Sequence, residues 1–199
     1  VKSTIQADAI TADDLRIPSS NGTVTARCIG LIKDQNLTDA IEIELEVIGG
    51  FVEPNLKEDI LPIAVVGRHG QDGIGKGFVK GFEIKHGAVA ETISHDTHNI
   101  IVTGTNYNDM AVAVNKLINS KGGIAAVCNG KCVGSISLPI AGLMTDELCA
   151  DELTSELKKL HKKVHEQLGC TVHAPFMHLA FLSLTTSPKW KITDKGLID

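Results

Sequence analysis

The sequence predicts an α+β fold: a mixed, largely antiparallel sheet or sheets, with one buried helix and one long C-terminal amphipathic helix. Three observations carry this. Short β-rich runs follow one another from Thr23 to Thr103, a single apolar helical stretch follows at 108–120, and a leucine-striped helix comes late, at 145–168. The regular strand–helix alternation of a doubly wound sheet is missing.

Residues 1–20 have no clear period and read as a leader or inter-domain connection, leaving 21–199 as the domain. Thr23–Ile32 is rich in β-branched and aliphatic residues, which favours a strand. Ile41-Glu42-Ile43-Glu44-Leu45-Glu46-Val47 alternates strictly, so one face is buried and the other wet, and Gly49-Gly50 ends it. Ile60–Val66 is a short apolar run, a buried strand. Residues 67–77 are glycine-rich and read as a loop of specific shape, because glycine visits positive φ freely. Gly77–Phe82, Ala88–Ser94 and Asn99–Thr103 then read as strands. Met110, Ala113, Val114, Leu117 and Ile118 recur at helical spacing, with Asn108 as N-cap and Gly122-Gly123 as the stop. Ile124–Cys128 and Cys132–Ser137 flank Asn129-Gly130, which predicts a hairpin. Leu153, Leu157, Leu160, Val164 and Leu168 stripe the long helix, which Gly169 ends. His178–Leu184 reads as a last strand, and Pro188 opens an irregular end.

At 199 residues, 43% hydrophobic and 22% charged, the chain can bury one large core. Aromatics make up only 4%, so small aliphatics must fill it. A formal net charge of −5 leaves no general basic field for nucleic acid. Lys158, Lys159, Lys162 and Lys163 share their helix with acids, which makes a solvated face and not a membrane surface. No apolar run nears the roughly 20 residues of a membrane helix, and no secretory signal opens the chain. The start at Val1 reads as processing or as a piece of a longer polypeptide. Five cysteines at irregular spacing make no disulfide framework, so reduced thiols in a cytoplasm are expected. The glycosylation-like triplets at Asn21 and Asn36 are then chance matches.

Gly70–Gly77 falls one residue short of a phosphate-binding P-loop. Gly77 stands where a Ser or Thr hydroxyl should hold magnesium, and no helix follows. In the expected hairpin Cys128 pairs with Lys131 and Val127 with Cys132, so the two sulfurs face opposite sides and cannot share a metal. His161 and His165 have a chelating spacing without further ligands, and read as solvated. There is no signature for a zinc-activated water, no nucleophile elbow and no complete dinucleotide fingerprint. The densest polar cluster is Ser94-His95-Asp96-Thr97-His98-Asn99. Burying such groups unpaired costs about 1–3 kcal/mol each, so the segment lies at a surface or in a satisfied network. It is either a polar turn joining two strands or a site at a strand end, and Arg68-His69 poses the same choice.

Several segments, in order, resemble the C-terminal domain of microbial adenine deaminases, members of the amidohydrolase superfamily. They are Arg68-His69-Gly70, Ile74–Phe82, Gly87–Ala90, Ser94–Ile100, Gly104-Thr105-Asn106, Leu138–Met144, Pro175-Phe176-Met177 and Thr193–Leu197. One departure is Gly67, where the family usually carries Glu. The resemblance implies a part in hydrolysing adenine to hypoxanthine and ammonia. That chemistry needs a metal-activated hydroxide. The divalent metal (Mn, Zn or Fe) and its ligands would come from an amidohydrolase barrel of the same parent protein, and this chain would supply neither cofactor nor metal ligand. His95, Asp96 and His98 are the implied assisting catalytic groups. Asn99, Arg68 and His69 are the implied substrate-binding groups. The other reading is a stand-alone purine-binding or regulatory module without catalysis, and a homo-oligomer is compatible with either.

Overall fold

The computed structural model describes residues 2–20, 22–32, 35–70 and 73–199. Gln71 and Asp72 of the P-loop-like stretch, and Asn21 of one glycosylation-like triplet, lie outside the described residues. Among the described residues nine strands make one sheet. They are β1 (Thr23–Leu31), β2 (Thr38–Ile48), β3 (Phe51–Val52), β4 (Ile60–Val66), β5 (Ile74–Lys80), β6 (Ala88–Glu91), β7 (Ile100–Gly104), β8 (Gly123–Cys128) and β9 (Lys131–Ser137). Their order is β3-β2-β1-β5-β4-β7-β6-β8-β9. Only the β1–β5 pair is parallel, so the sheet is mixed and largely antiparallel, as expected. Helices α1 (Tyr107–Asn119), α2 (Ala150–Leu168) and α3 (Pro175–Phe181) and a separate hairpin, β10 (Lys191–Thr193) with β11 (Gly196–Ile198), complete the α+β fold.

Both faces of the sheet's middle are covered, which is why all seven residues of β4 are buried. On one face Ile63, Val65, Val89 and Ile101 pack under Leu160, Val164 and Leu168 of α2 and Phe176 and Leu179 of α3. On the other, Ala64, Ala88, Ala90 and Ala125 let α1 approach closely through Met110, Ala113, Val114 and Leu117. Ile5 and Leu15 are buried on that same face. A third cluster sits under the β1–β2 wing, where Leu45 is buried and Glu42, Glu44 and Glu46 of the alternating strand point outward, exposed.

The Asn129-Gly130 hairpin forms in the expected register, Val127 opposite Cys132 and Cys128 opposite Lys131. Both turn residues have positive φ, as a tight two-residue turn requires. Other expectations need correction. His178–Leu184 is no strand: Pro175 opens a helix whose Phe176, Leu179 and Ala180 are buried, a spacing that suits one helical face. The tail is no irregular end, since it carries β10 and β11. The glycine-rich loop is shorter than expected because Gly75 and Gly77 lie inside β5. A Cβ at Gly75 would stand 1.7 Å from the Thr193 carbonyl oxygen, so glycine there lets the β10–β11 hairpin lie on the strand. The N-cap of α1 is Asn106, not Asn108: its side chain accepts from the Asp109 N–H. Helix α2 starts at Ala150 because Thr145 forms a local turn with the Glu147 N–H, and Glu152 accepts from the Cys149 N–H. His161 and His165 are half-buried rather than solvated. The His161 ring lies 5.6 Å from that of Phe176, and His165 Nδ1 meets the Cys170 carbonyl at 2.7 Å.

Candidate functional site

The polar cluster forms the connection from β6 to β7. Thr92 begins it. Its hydroxyl donates to the Gly142 carbonyl at 2.6 Å and accepts from the Gly123 N–H at 2.9 Å. Ser94 is fully buried, with its Oγ 2.5 Å from Ser183 Oγ just beyond α3. The His95 N–H donates to the Ala180 carbonyl, and the His98 N–H closes the turn on the Ser94 carbonyl at 2.6 Å. His95 is half-buried between two rings, with centroids 5.2 Å from Phe181 and 5.7 Å edge-on from His98. Asp96 and Thr97 stand exposed at the tip.

Arg68 leaves the end of β4 and is 6% exposed. Its Nη1 donates to the His98 carbonyl at 3.0 Å. Its Nη2 donates to the Ala141 carbonyl at 2.7 Å and to the Thr4 hydroxyl. One guanidinium thus fastens three segments, an arrangement its rigid fork suits. The Asn99 carboxamide works the same way: Oδ1 accepts from the Arg68 N–H at 3.2 Å, and Nδ2 donates to Asp194 in the turn between β10 and β11 at 3.1 Å. Arg68 and Asn99 therefore direct these polar atoms into the fold. His95, Asp96 and His98 are brought together. His69 is exposed at the start of the glycine-rich loop.

Burial holds the His98 imidazole below its usual range, helped by His95 and Arg68 and opposed by Asp96. Nδ1 of His98 is buried and has no hydrogen-bond partner among the described residues. A neutral imidazole is what such a place favours, and it can pass one proton in either direction. Burial also pulls the Arg68 guanidinium down. Among the described residues no group of three or more His, Cys, Asp or Glu side chains is placed to hold a metal ion, so the implied divalent metal does not fit this chain's own donors.

Four contributors were not assigned a part from sequence: Thr4, Phe181, Ser183 and Asp194. A signal existed only for Asp194, which lies in one of the segments that carried the family resemblance.

The model for the adenine deaminase C-terminal domain matches residues 35–199. The chain belongs to the adenine deaminase C-terminal domain family. Adenine deaminase 1 of Carboxydothermus hydrogenoformans is 54% identical over 200 residues, which cover 100% of this chain and 33% of that protein. The adenine deaminase of Desulforamulus reducens is 46% identical over 92% of the chain and 31% of its own length. That of Methylobacterium nodulans is 39% identical over 100% of the chain and 34% of its own. The chain thus spans about a third of the length of these curated relatives, and it is similar to one domain of each.

Proposed function

We propose that this domain serves the hydrolysis of adenine to hypoxanthine and ammonia, presenting the His95–His98 turn to a metal-dependent amidohydrolase barrel elsewhere in the parent protein. The observation that carries the reading is the turn's construction. Both of its feet are bonded into buried groups, Ser94 on Ser183 and Asn99 on Arg68, while its tip is exposed. Rigid support under an exposed polar tip is what positions a group for a reacting partner.

Among the described residues the divalent metal (Mn, Zn or Fe) finds no fitting donor set, so its ligands belong to the barrel. His98, held neutral, is suited to take a proton or return one at the purine edge. His95 and Asp96 flank it, one as ring support and the other as a hydrogen-bond acceptor. Arg68 and Asn99 are positioning residues beneath, and His69, exposed at the start of the glycine-rich loop, serves as a substrate-binding group on the strength of its exposure alone. The unpaired state of all five thiols supports a reducing compartment, the cytoplasm.

The test is reconstitution. The isolated chain should turn over no adenine, and adding the barrel-bearing remainder of the parent protein should restore hypoxanthine formation. In the restored enzyme His98→Ala should lower kcat by about 10²–10⁴-fold, the usual yield of a positioned acid–base group. Deamination by the isolated chain at an enzyme-like rate would overturn the reading. So would full activity of both the His95→Ala and His98→Ala enzymes. Saturable adenine binding by the chain alone, with no gain on adding the barrel, would favour a purine-binding module instead.

A further inference from the structure

The segment Leu138–Met144 carried part of the family resemblance, yet the His95–His98 turn leaves it without a task of its own. Its backbone shows how it is held. Ile140 and Met144 exchange two hydrogen bonds, at 3.0 and 3.1 Å, which close a tight loop. Within it the Ala141 carbonyl accepts from the Arg68 guanidinium at 2.7 Å and the Gly142 carbonyl from the Thr92 hydroxyl at 2.6 Å. The same guanidinium holds the His98 carbonyl, and Thr92 opens the β6–β7 connection, so loop and turn lie side by side.

Each of the two segments bonded to the turn carries an exposed methionine. Met144 is 58% exposed at the end of the loop, beside the half-buried Ile140 and Leu143. Met177 is 57% exposed on α3, one helical turn before Phe181, whose ring lies 5.2 Å from that of His95. Both supports are firm: the loop by the bonds above, and α3 by Phe176, Leu179 and Ala180, which are buried. One exposed apolar side chain on a monomer calls for no explanation. Two of them, on rigid supports beside one exposed polar tip, make a surface that joins apolar flanks to a polar centre. Such flanks keep water from the polar contact when a partner closes on them. Methionine suits the place, because its unbranched thioether adapts to an irregular partner.

The size of the parent polypeptide decides what covers this surface. The chain spans about a third of the length of its relatives, so the larger part of each meets this domain somewhere. The family is that of a C-terminal domain, which the preceding polypeptide joins through the first residues. Here those residues run along the same loop. Lys2 bridges Ile140, its ammonium lies 2.7 Å from the Asp146 carboxylate, and Thr4 and Gln6 bond Arg68. A second copy on this surface would instead cover the tip that the deaminase reading presents to a purine. We infer that Met144 and Met177, with Ile140 and Phe181, form the surface on which the amidohydrolase barrel of the same polypeptide docks, closing around the His95–His98 turn. The identity of the occupant rests on the deaminase reading; the surface itself does not.

The methionines themselves supply the experiment. The chain has three, Met110, Met144 and Met177, and Met110 is fully buried on α1. The full parent protein is labelled with photo-methionine, a diazirine analogue of nearly the same shape, then illuminated and digested, and the linked peptides are read by mass spectrometry. The expected result is links from positions 144 and 177 to residues outside this domain, within one polypeptide, while position 110 links only inside the domain. Mixing light- and heavy-isotope copies separates links within a molecule from links between two. Links from 144 and 177 that stay inside the domain overturn the inference, and links between copies overturn it in favour of self-association. In the reconstituted enzyme, the pair Met144→Glu and Met177→Glu should raise the amount of chain that gives half-restoration about tenfold or more, as loss of interface anchors does. Ile48→Glu, equally exposed at 60% but on the β1–β2 wing, should leave that amount unchanged. A loss with Ile48→Glu as large as with the methionine pair overturns the inference as well. Turnover reports on the deaminase reading separately: links to the barrel in a parent whose His98→Ala form keeps full activity would uphold this surface and remove the acid–base role.

Discussion

The carboxylate of Asp109 ties the start of α1 to the β8–β9 turn. It is 3% exposed and accepts from the Asn129 N–H at 3.1 Å, the Gly130 N–H at 2.6 Å and the Asn106 carboxamide at 2.9 Å. Deleting an acceptor strands its buried donors, which costs more than the bonds themselves contribute. Asp109→Ala should therefore lower unfolding stability by about 3 kcal/mol, and Asp109→Asn by about half that, since one oxygen remains. Urea unfolding measures both, and an Asp109→Ala loss below the Asp109→Asn loss would contradict the account. Glu91 is the opposite case. It is 1% exposed on β6, its Oε1 has no partner among the described residues, and burial pushes its carboxyl well above the usual range. A carboxyl raised on folding binds its proton more tightly in the native state. Its contribution is fully present below the unfolded value near 4.5 and is lost as pH rises through the folded value. Glu91→Gln removes that titration. The stability advantage of the Gln variant over the parent should thus grow from pH 5 towards pH 9, and a pH-independent difference would show that Glu91 is not protonated in the fold.

At the scale of elements, what was legible is what periodicity can report. The alternation of residues 41–47, the apolar run 60–66 and the Asn129-Gly130 turn each contain their own structure, and all three formed as read. The last strand did not. His178–Leu184 is an apolar stretch too short for its period to decide, and Pro175, which settles it as helix, lies outside that window. The Gly75 position misled for a different reason: its glycine answers the approach of a hairpin more than a hundred residues later, which no local pattern contains. The site divides in the same way. The sequence marked Ser94–Asn99 as polar and dense, but the roles of Arg68 and Asn99 as fasteners depend on Ala141, Thr4 and Asp194 arriving from distant segments. One consequence is testable. Gly75→Ala puts a methyl group against the Thr193 carbonyl, so it should cost about 1–3 kcal/mol, as overpacking does. It should also shift the side-chain amide resonance of Asn99, because Asp194 moves with the hairpin. A stability loss that leaves the Asn99 resonance in place would separate the hairpin from the site.

On the scale of the whole molecule, the first residues bear on both stability and the site. Ile5 and Leu15 are 0% and 2% exposed against the α1 face of the sheet. Ile10 exchanges two hydrogen bonds with the Asn115 side chain, at 2.9 and 2.8 Å. The Gln6 N–H donates to the Arg68 carbonyl at 2.7 Å, and Thr4 accepts from the Arg68 guanidinium. Burying two large aliphatic side chains contributes about 1.5–3 kcal/mol each, a large share of the roughly 5–15 kcal/mol that holds a domain together. Deleting residues 1–15 should therefore lower unfolding stability by about 3–6 kcal/mol. It should also raise amide exchange at His98, since Arg68 loses two of its anchors and holds the His98 carbonyl less firmly. If these residues only connect one domain to another, the truncated chain will instead unfold at the same urea midpoint with the same His98 protection. Faster exchange at His98 without a change in midpoint would confine their part to the site.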